Sequence, residues 1–330
     1  MSKTAYQAWV VEQINENQFA GQVQTRKIND LPDHDVLIRV HYSSLNYKDA
    51  LSATGNRGVT KTYPHTPGID AAGIVEHSRD PKFQKGDPVI VTSYDLGMNT
   101  PGGFGQYIRV PADWVVQLPS GLTLKQSMIL GTAGFTAAMS VDRLIQTVTP
   151  DRGDILVTGA TGGVGSLAVG ILSHLGFRVT AVTGKKQTAI LDQLGAAAMI
   201  DRQEFLANTD RPLLKERWAG VVDTVGGPIL AAAIKATQQG GIVTCCGNVA
   251  SPDLPMTVFP FILRGISLMG IDSQHCPMEY RQTLWNRLAS DWKFNQLEQI
   301  FQEIRLDELS EKIKHILNGK ISGRTLVNLE

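Results

Sequence analysis

The segment Gly159-Ala160-Thr161-Gly162-Gly163-Val164-Gly165 restricts what this chain can fold into more than any other. It follows Asp154-Ile155-Leu156-Val157-Thr158, an apolar run too continuous for a strand with one wet face, and so expected to be buried on both faces. After the glycines, Val164, Ala168, Ile171, Leu172 and Leu175 recur at helical spacing, and Gly176 supplies a C-terminal stop. Val179-Thr180-Ala181-Val182 then reads as a second strand. Strand, glycine turn, helix and strand form a βαβ unit. Further β-like runs at 220–225 and 241–244, with helix-compatible sequence between them, extend it to a parallel sheet wound on both faces. Glycines at such a turn let the backbone approach a pyrophosphate at the helix N-terminus, so a dinucleotide is the expected ligand. Ala160 departs from the strict G-x-G-x-x-G form.

The end of the second strand selects between dinucleotides. An NAD-binding domain presents Asp or Glu there to the ribose hydroxyls. Here Thr183-Gly184-Lys185-Lys186 offers a hydroxyl, a flexible turn and two ammonium groups, chemistry suited to the 2′-phosphate of NADPH.

The first 120 residues have a different texture, with β-rich runs at 36–40, 71–75 and 87–91 punctuated by Gly and Pro, which predicts short strands and tight turns. A helical stretch begins near Thr123, the tail is helix-like from Met278 to about Leu317, and 324–329 reads as a closing strand. A chain of 330 residues exceeds one ordinary core, so two domains are expected. Lys+Arg and Asp+Glu balance at 31 each, which disfavours nucleic acid as a partner. The N-terminus lacks an apolar stretch with a small-residue cleavage site, and no uncharged apolar run reaches a membrane span. A cytoplasmic protein without membrane association is therefore expected. Cys245, Cys246 and Cys276 are too few for a disulfide framework or a four-thiolate metal site and read as spectator thiols. The seven histidines are scattered, with no pair at a metal-binding helical spacing.

Together with the glycine turn, Ser43-Ser44-Leu45-Asn46-Tyr47-Lys48-Asp49-Ala50, Pro67-Gly68-Ile69-Asp70-Ala71-Ala72-Gly73, Ile129 to Ala137 and Gly323-Arg324-Thr325-Leu326-Val327 resemble the medium-chain dehydrogenase/reductase superfamily. The likeness covers essentially the whole chain. It points to the zinc-free quinone-oxidoreductase branch and the acrylyl-CoA reductase (YhdH/YhfP-type) subfamily. The resemblance implies an α/β architecture in which a doubly wound Rossmann sheet is inserted in a GroES-like, β-rich catalytic domain. The corresponding boundaries are 1–123 and 275–330 for the catalytic domain and 124–274 for the Rossmann domain. It also implies a homodimer.

Zinc alcohol dehydrogenases of that superfamily hold their catalytic metal through a Cys, a His with neighbouring Glu, and another Cys. Asn46, Ile69-Asp70 and Thr132-Ala133 stand at those places here, so no catalytic zinc is expected. Hydrogen-bond donors must then polarise the acceptor while hydride adds to its β-carbon. By resemblance Asn46, Tyr47 and Asp49 are the catalytic candidates, with Tyr47 either binding cofactor or donating a proton. A phenol, with an ordinary pKa of about 10, needs a neighbouring cation or dipole to act as an acid.

The cofactor contacts implied by the same resemblance are Tyr47, Thr132, Thr161, Gly162, Gly163, Val164, Thr183, Gly184, Lys185, Arg202, Asn248, Leu268, Ser273 and Asn318. Arg264 and Arg324 are candidates for substrate or CoA phosphates, and Arg202 for reinforcing Lys185. An enoyl thioester and a quinone are both electron-poor acceptors, with the subfamily likeness favouring the thioester. A reading from another class is a non-catalytic NADPH-binding structural or RNA-binding protein, against which the neutral charge argues.

Overall fold

The structure, a computed structural model, describes residues 5–186 and 188–330. It separates into two compact units. The first contains the chain up to Thr132 together with Gln274–Ala289 and Phe301–Glu330, and the second contains Ala133–Ser273 and Ser290–Ile300.

In chain order the first unit begins with β1 (Ala5–Asn15) and β2 (Gln18–Lys27), an antiparallel pair. Then come β3 (Val36–Leu45), α1 (Tyr47–Ala53), β4 (Asp70–Ser78), β5 (Pro88–Thr92), β6 (Tyr107–Val110) and β7 (Val115–Gln117). Helix α2 (Leu124–Ile145) leads on to the second unit, which holds β8 (Asp154–Thr158), α3 (Gly163–His174), β9 (Val179–Thr183), α4 (Ala189–Gln193), β10 (Ala198–Asp201), α5 (Arg202–Leu206), β11 (Trp218–Asp223), α6 (Gly227–Lys235), β12 (Thr237–Cys245), α7 (Phe259–Arg264) and β13 (Ser267–Gly270). The chain returns through α8 (Met278–Ala289), β14 (Phe301–Arg305), α9 (Leu309–Leu317) and β15 (Arg324–Asn328).

In the first unit a seven-stranded sheet runs β14-β15-β3-β4-β5-β7, with β6 also paired to β3. Its core joins Val36, Ile38 and Val40 of β3 to Ala71 and Val75 of β4, Val89 and Val91 of β5, and Val327 of β15. These residues alternate along their strands, so each strand buries one side chain in two against the same core.

The second unit carries a six-stranded sheet in the order β10-β9-β8-β11-β12-β13, every described pairing being parallel. Ile155, Leu156 and Val157 of the central β8 are all fully buried, as the unbroken apolar run requires. Strand order reverses between β8 and β11, and in such sheets ligands bind beyond the carboxyl ends of the strands at that reversal.

Two expectations are corrected. The first is the tail, which is not one helix from Met278 to Leu317: Phe301–Arg305 is a strand, paired in parallel with β15. Second, the units part at 132/133 rather than 123/124, and 290–300 belongs to the second unit. Ile129 and Thr132 are hydrogen-bonded to Arg324 and Asp70 of the first unit, while a Cβ on Gly170 would lie 2.8 Å from the Phe294 ring. Helix α2 is long and apolar enough by length and composition to cross a membrane, with mean hydropathy 1.2, but it carries Lys125, Asp142 and Arg143 and 83% of that window is buried inside the protein. Packing therefore explains its apolarity.

Candidate functional site

In the second unit the site is built by backbone. Gly159 leaves β8 with φ 59°, a conformation that glycine adopts without a Cβ penalty. The Gly162 N–H donates to the Gly159 carbonyl at 2.9 Å and the Ala160 N–H to the Val182 carbonyl at 3.1 Å, which fixes the turn against β9. A Cβ on Gly165 would stand 2.4 Å from the Gly159 oxygen, so α3 packs directly on the turn it follows. A Cβ on Gly162 would meet only that oxygen, at 3.2 Å. The space before the turn is therefore open, and the first amides of α3, at Gly163 and Val164, begin there without intrahelical partners. This cradle fits a pyrophosphate.

Thr161 and Thr183 are buried and hydrogen-bonded to each other at 2.9 Å, and the Thr183 hydroxyl also accepts the Lys185 N–H at 3.2 Å. Their hydroxyls tie the turn to the end of β9. A Cβ on Gly184 would lie 3.0 Å from the Arg202 guanidinium carbon, so the absence of a side chain lets that guanidinium rest on the turn. Burial pulls the Lys185 ammonium below its ordinary range, the response of a half-buried cation. Arg202 and Lys185 thus give the β9 end a positive corner that fits a 2′-phosphate.

Thr161, Gly184, Asn248 and Ser273 follow β8, β9, β12 and β13 and so share the sheet's carboxyl edge. Leu268 lies within β13 and packs on the core beneath the sheet. Asn318 belongs to the first unit, where its Nδ2 closes α9 by donating to the Lys314 carbonyl at 2.7 Å. Arg264 is corrected: its guanidinium donates to the carbonyls of Lys235, Thr237 and Leu214 at 2.8, 3.2 and 2.6 Å and pairs with Glu216, so it is a structural clasp with no free fork for phosphate.

Sequence reasoning missed Asp223. Buried at the end of β11, it accepts from the Thr158 hydroxyl at 2.6 Å and the Gly226 N–H at 2.8 Å, joining the strands on either side of the reversal. Burial pushes its carboxyl up. The only available signal was a carboxylate inside an apolar run. Burial and the Asp223 charge also push the Cys245 thiol up to about 11 and raise that of Cys246, which keeps both protonated and unreactive.

The first unit's polar centre is built by side chains. Asp70 is fully buried and accepts from the Ser44 hydroxyl at 2.6 Å, Asn46 Nδ2 at 2.8 Å, and the Thr132 hydroxyl and N–H at 2.6 and 2.9 Å. The Thr132 N–H is available because α2 breaks at Gly131 (φ 53°, ψ −157°), in a region visited essentially by glycine alone, so Asp70 caps the second half of the helix. Arg324 completes the cluster, with Nη2 3.8 Å from Asp70, 2.8 Å from the Ser44 hydroxyl it donates to, and Nε donating to the Ile129 carbonyl at 2.9 Å. Burial pulls its pKa down, while Asp70 and Asp49 hold it up. Arg324 is 3% exposed and therefore does not meet a CoA phosphate, a second correction.

The catalytic candidates are also re-sorted. Asp49 is completely buried, its oxygens accepting the N–H groups of Asn46, Gly68 and Ile69 at 2.7, 3.2 and 2.8 Å, so it ties the start of α1 to the 68–69 turn. Burial, then the Asp70 charge, push its carboxyl up to about 7. Asn46 spends its Nδ2 hydrogens on Asp70 and on the Ser44 carbonyl, at 2.8 and 3.2 Å. Thr132, nominated for cofactor, has its hydroxyl between Asp70 and Ser93. Tyr47, at the first position of α1, is the exposed member of the trio.

The family profile described as alcohol dehydrogenase GroES-like domain matches residues 32–120, and that described as zinc-binding dehydrogenase matches residues 163–290. Acrylyl-CoA reductase AcuI of Ruegeria pomeroyi is 42% identical over 98% of this chain and 99% of its own. YhfP of Bacillus subtilis, provisionally named a quinone oxidoreductase, is 46% identical over 99% of both chains, and its structure with NAD bound superposes with a TM-score of 0.96. The structure of Escherichia coli K-12 YhdH with bound NADPH shares 44% identity and a TM-score of 0.95, covering 98% of this chain and 100% of its own.

Proposed function

The chain belongs to the medium-chain dehydrogenase/reductase superfamily, and from that premise we propose that it is an NADPH-dependent reductase acting on activated carbon–carbon double bonds, with acrylyl-CoA or a similar 2-enoyl thioester as substrate. The observation that carries this reading is the open glycine cradle at the strand reversal with Lys185 and Arg202 beside it, in a chain 44% identical to a protein whose structure holds NADPH. Gly162, Gly163 and Val164 hold the pyrophosphate by their backbone, and Gly184, Lys185 and Arg202 receive the 2′-phosphate. Asn248 and Ser273 flank the same edge. NADPH, when bound, supplies the hydride.

Tyr47 presents its phenol to the substrate, as hydrogen-bond donor to the acceptor or as proton source for the α-carbon. Asn46 and Asp49 hold the segment from which it projects. We infer that this chemistry runs without zinc. Asp70 already accepts four hydrogen bonds and pairs with a guanidinium, and no group of three or more His, Cys, Asp or Glu able to hold a metal occurs among the described residues. A homodimeric, cytoplasmic enzyme acting on a small molecule, independent of nucleic acid and membrane, completes the proposal.

The test is NADPH oxidation with acrylyl-CoA and with 1,4-benzoquinone side by side. A kcat/KM at least about ten-fold higher for the thioester is expected, a difference of about 1.4 kcal/mol in transition-state stabilisation. A reversed ratio makes the chain a quinone reductase. Firm NADPH binding with no turnover of either acceptor favours the non-catalytic reading.

A further inference from the structure

Asn46 is the N-cap residue of α1 and immediately precedes Tyr47. Its amide is held in one sense, with Nδ2 donating to Asp70 at 2.8 Å and Oδ1 accepting from Arg324 Nη1 at 3.2 Å. Reversing the amide would set its oxygen against a carboxylate and its NH2 against a guanidinium, two repulsions in a buried setting. The orientation is therefore imposed by the ion pair behind it. Ser44 closes the ring, since its hydroxyl donates to Asp70 and so accepts from Arg324. Gly131 makes room, because a Cβ there would stand 2.4 Å from Asp70 Oδ2 and 3.0 Å from Arg324 Nη2.

A guanidinium this deep is costly to desolvate, and a well-packed apolar residue often serves stability as well or better. What an apolar residue cannot do is dictate the sense of an amide. A lysine would keep the charge and lose the fork that reaches Ile129, Ser44 and Asn46 together.

We propose that Arg324 is a positioning residue for the reduction: without meeting substrate, it works with Asp70 to lock Asn46 and so fix the first turn of α1 from which Tyr47 is presented. The proposal rests on the reductase reading above and deepens it. Nothing in the glycine cradle depends on Arg324, so cofactor affinity separates the two.

The experiment compares full-length Arg324→Lys with the parent protein for NADPH Kd by cofactor fluorescence, kcat with acrylyl-CoA, and amide hydrogen exchange. The lysine variant is expected to lose about ten-fold in kcat while NADPH Kd stays within about two-fold, and exchange at 46–50 is expected to rise. In a Tyr47→Phe background the further loss on Arg324→Lys should vanish, because the residue acts through Tyr47. Losses that simply multiply, or unchanged kcat and exchange, overturn the proposal. Ser44→Ala, which removes one Arg324 partner and no charge, should show the same pattern more weakly and decides the matter if the lysine variant does not fold. Should the parent reduce no acceptor, the reductase reading fails by itself, and unchanged exchange at 46–50 still overturns the positioning role.

Discussion

The two polar centres are constructed in opposite ways. In the second unit the cradle is made by what is missing: Gly159, Gly162 and Gly165 remove side chains so that backbone amides and the start of α3 face open space. In the first unit the centre is made by what is added, with Ser44, Asn46, Asp70, Thr132 and Arg324 filling a buried volume with matched donors and acceptors. A backbone cradle binds any ligand of the right charge and shape and should be broken by added bulk. A side-chain network specifies one geometry and should be sensitive to charge and to the shape of hydrogen-bonding groups.

The largest effect should come from filling the cradle. Gly165→Val forces a β-branched side chain against the Gly159 carbonyl, 2.4 Å from the new Cβ. NADPH affinity, read by fluorescence titration, is expected to fall by about 1000-fold, roughly 4 kcal/mol. Retained affinity would end the division drawn between the two centres.

Gly131→Ala attacks the other centre through its one missing side chain, combining a disfavoured backbone region with a clash on Asp70. A loss of about 2–3 kcal/mol is expected from thermal unfolding, with NADPH Kd in the folded protein within about two-fold of the parent. Equal damage to cofactor binding would mean that the centres are not separable.

Lys185→Ala tests whether the cradle's selectivity is electrostatic. The KM for NADPH should rise about ten-fold, roughly 1.4 kcal/mol, while that for NADH is unchanged. A parallel rise for both cofactors would assign Lys185 a packing role.

A further test is a pH dependence confined to the first unit's centre. Asp49 is raised from 3.8 to about 7, so its contribution to folding is greatest below its unfolded value and is lost as pH climbs through the folded one. Asp49→Asn cannot ionise. Its stability relative to the parent should therefore improve between about pH 4 and pH 7, by up to about 1.4 kcal/mol per pH unit, and then level off. A flat difference across that range would show that the folded protein leaves the Asp49 carboxyl at its unfolded value.

The contrast also explains what could be read from the amino acids alone. The cradle is a local pattern: a buried strand, glycines at fixed offsets and a helical repeat all fall within about one βαβ unit. Its neighbour Lys185 was found by the same logic, from position after a strand. The Asp70 centre draws on residues 44, 46, 70, 132 and 324, which no spacing rule connects. Its members were visible only as replacements for metal ligands or as candidate contacts, and Arg324 was given to a phosphate it does not reach. Asp49 was similarly placed at the chemistry because burial is not written in a loop sequence. The tail failed for a related reason: Phe301–Arg305 looks compatible with a helix until β15, the closing strand, offers it a parallel partner.

The most direct test of the proposed metal-free reduction is acrylyl-CoA-dependent NADPH oxidation by protein exhaustively treated with chelator, with metal content measured on the same sample. Full kcat in metal-stripped protein is the expected result. A loss of activity in proportion to zinc removed, restored by adding zinc back, would contradict it.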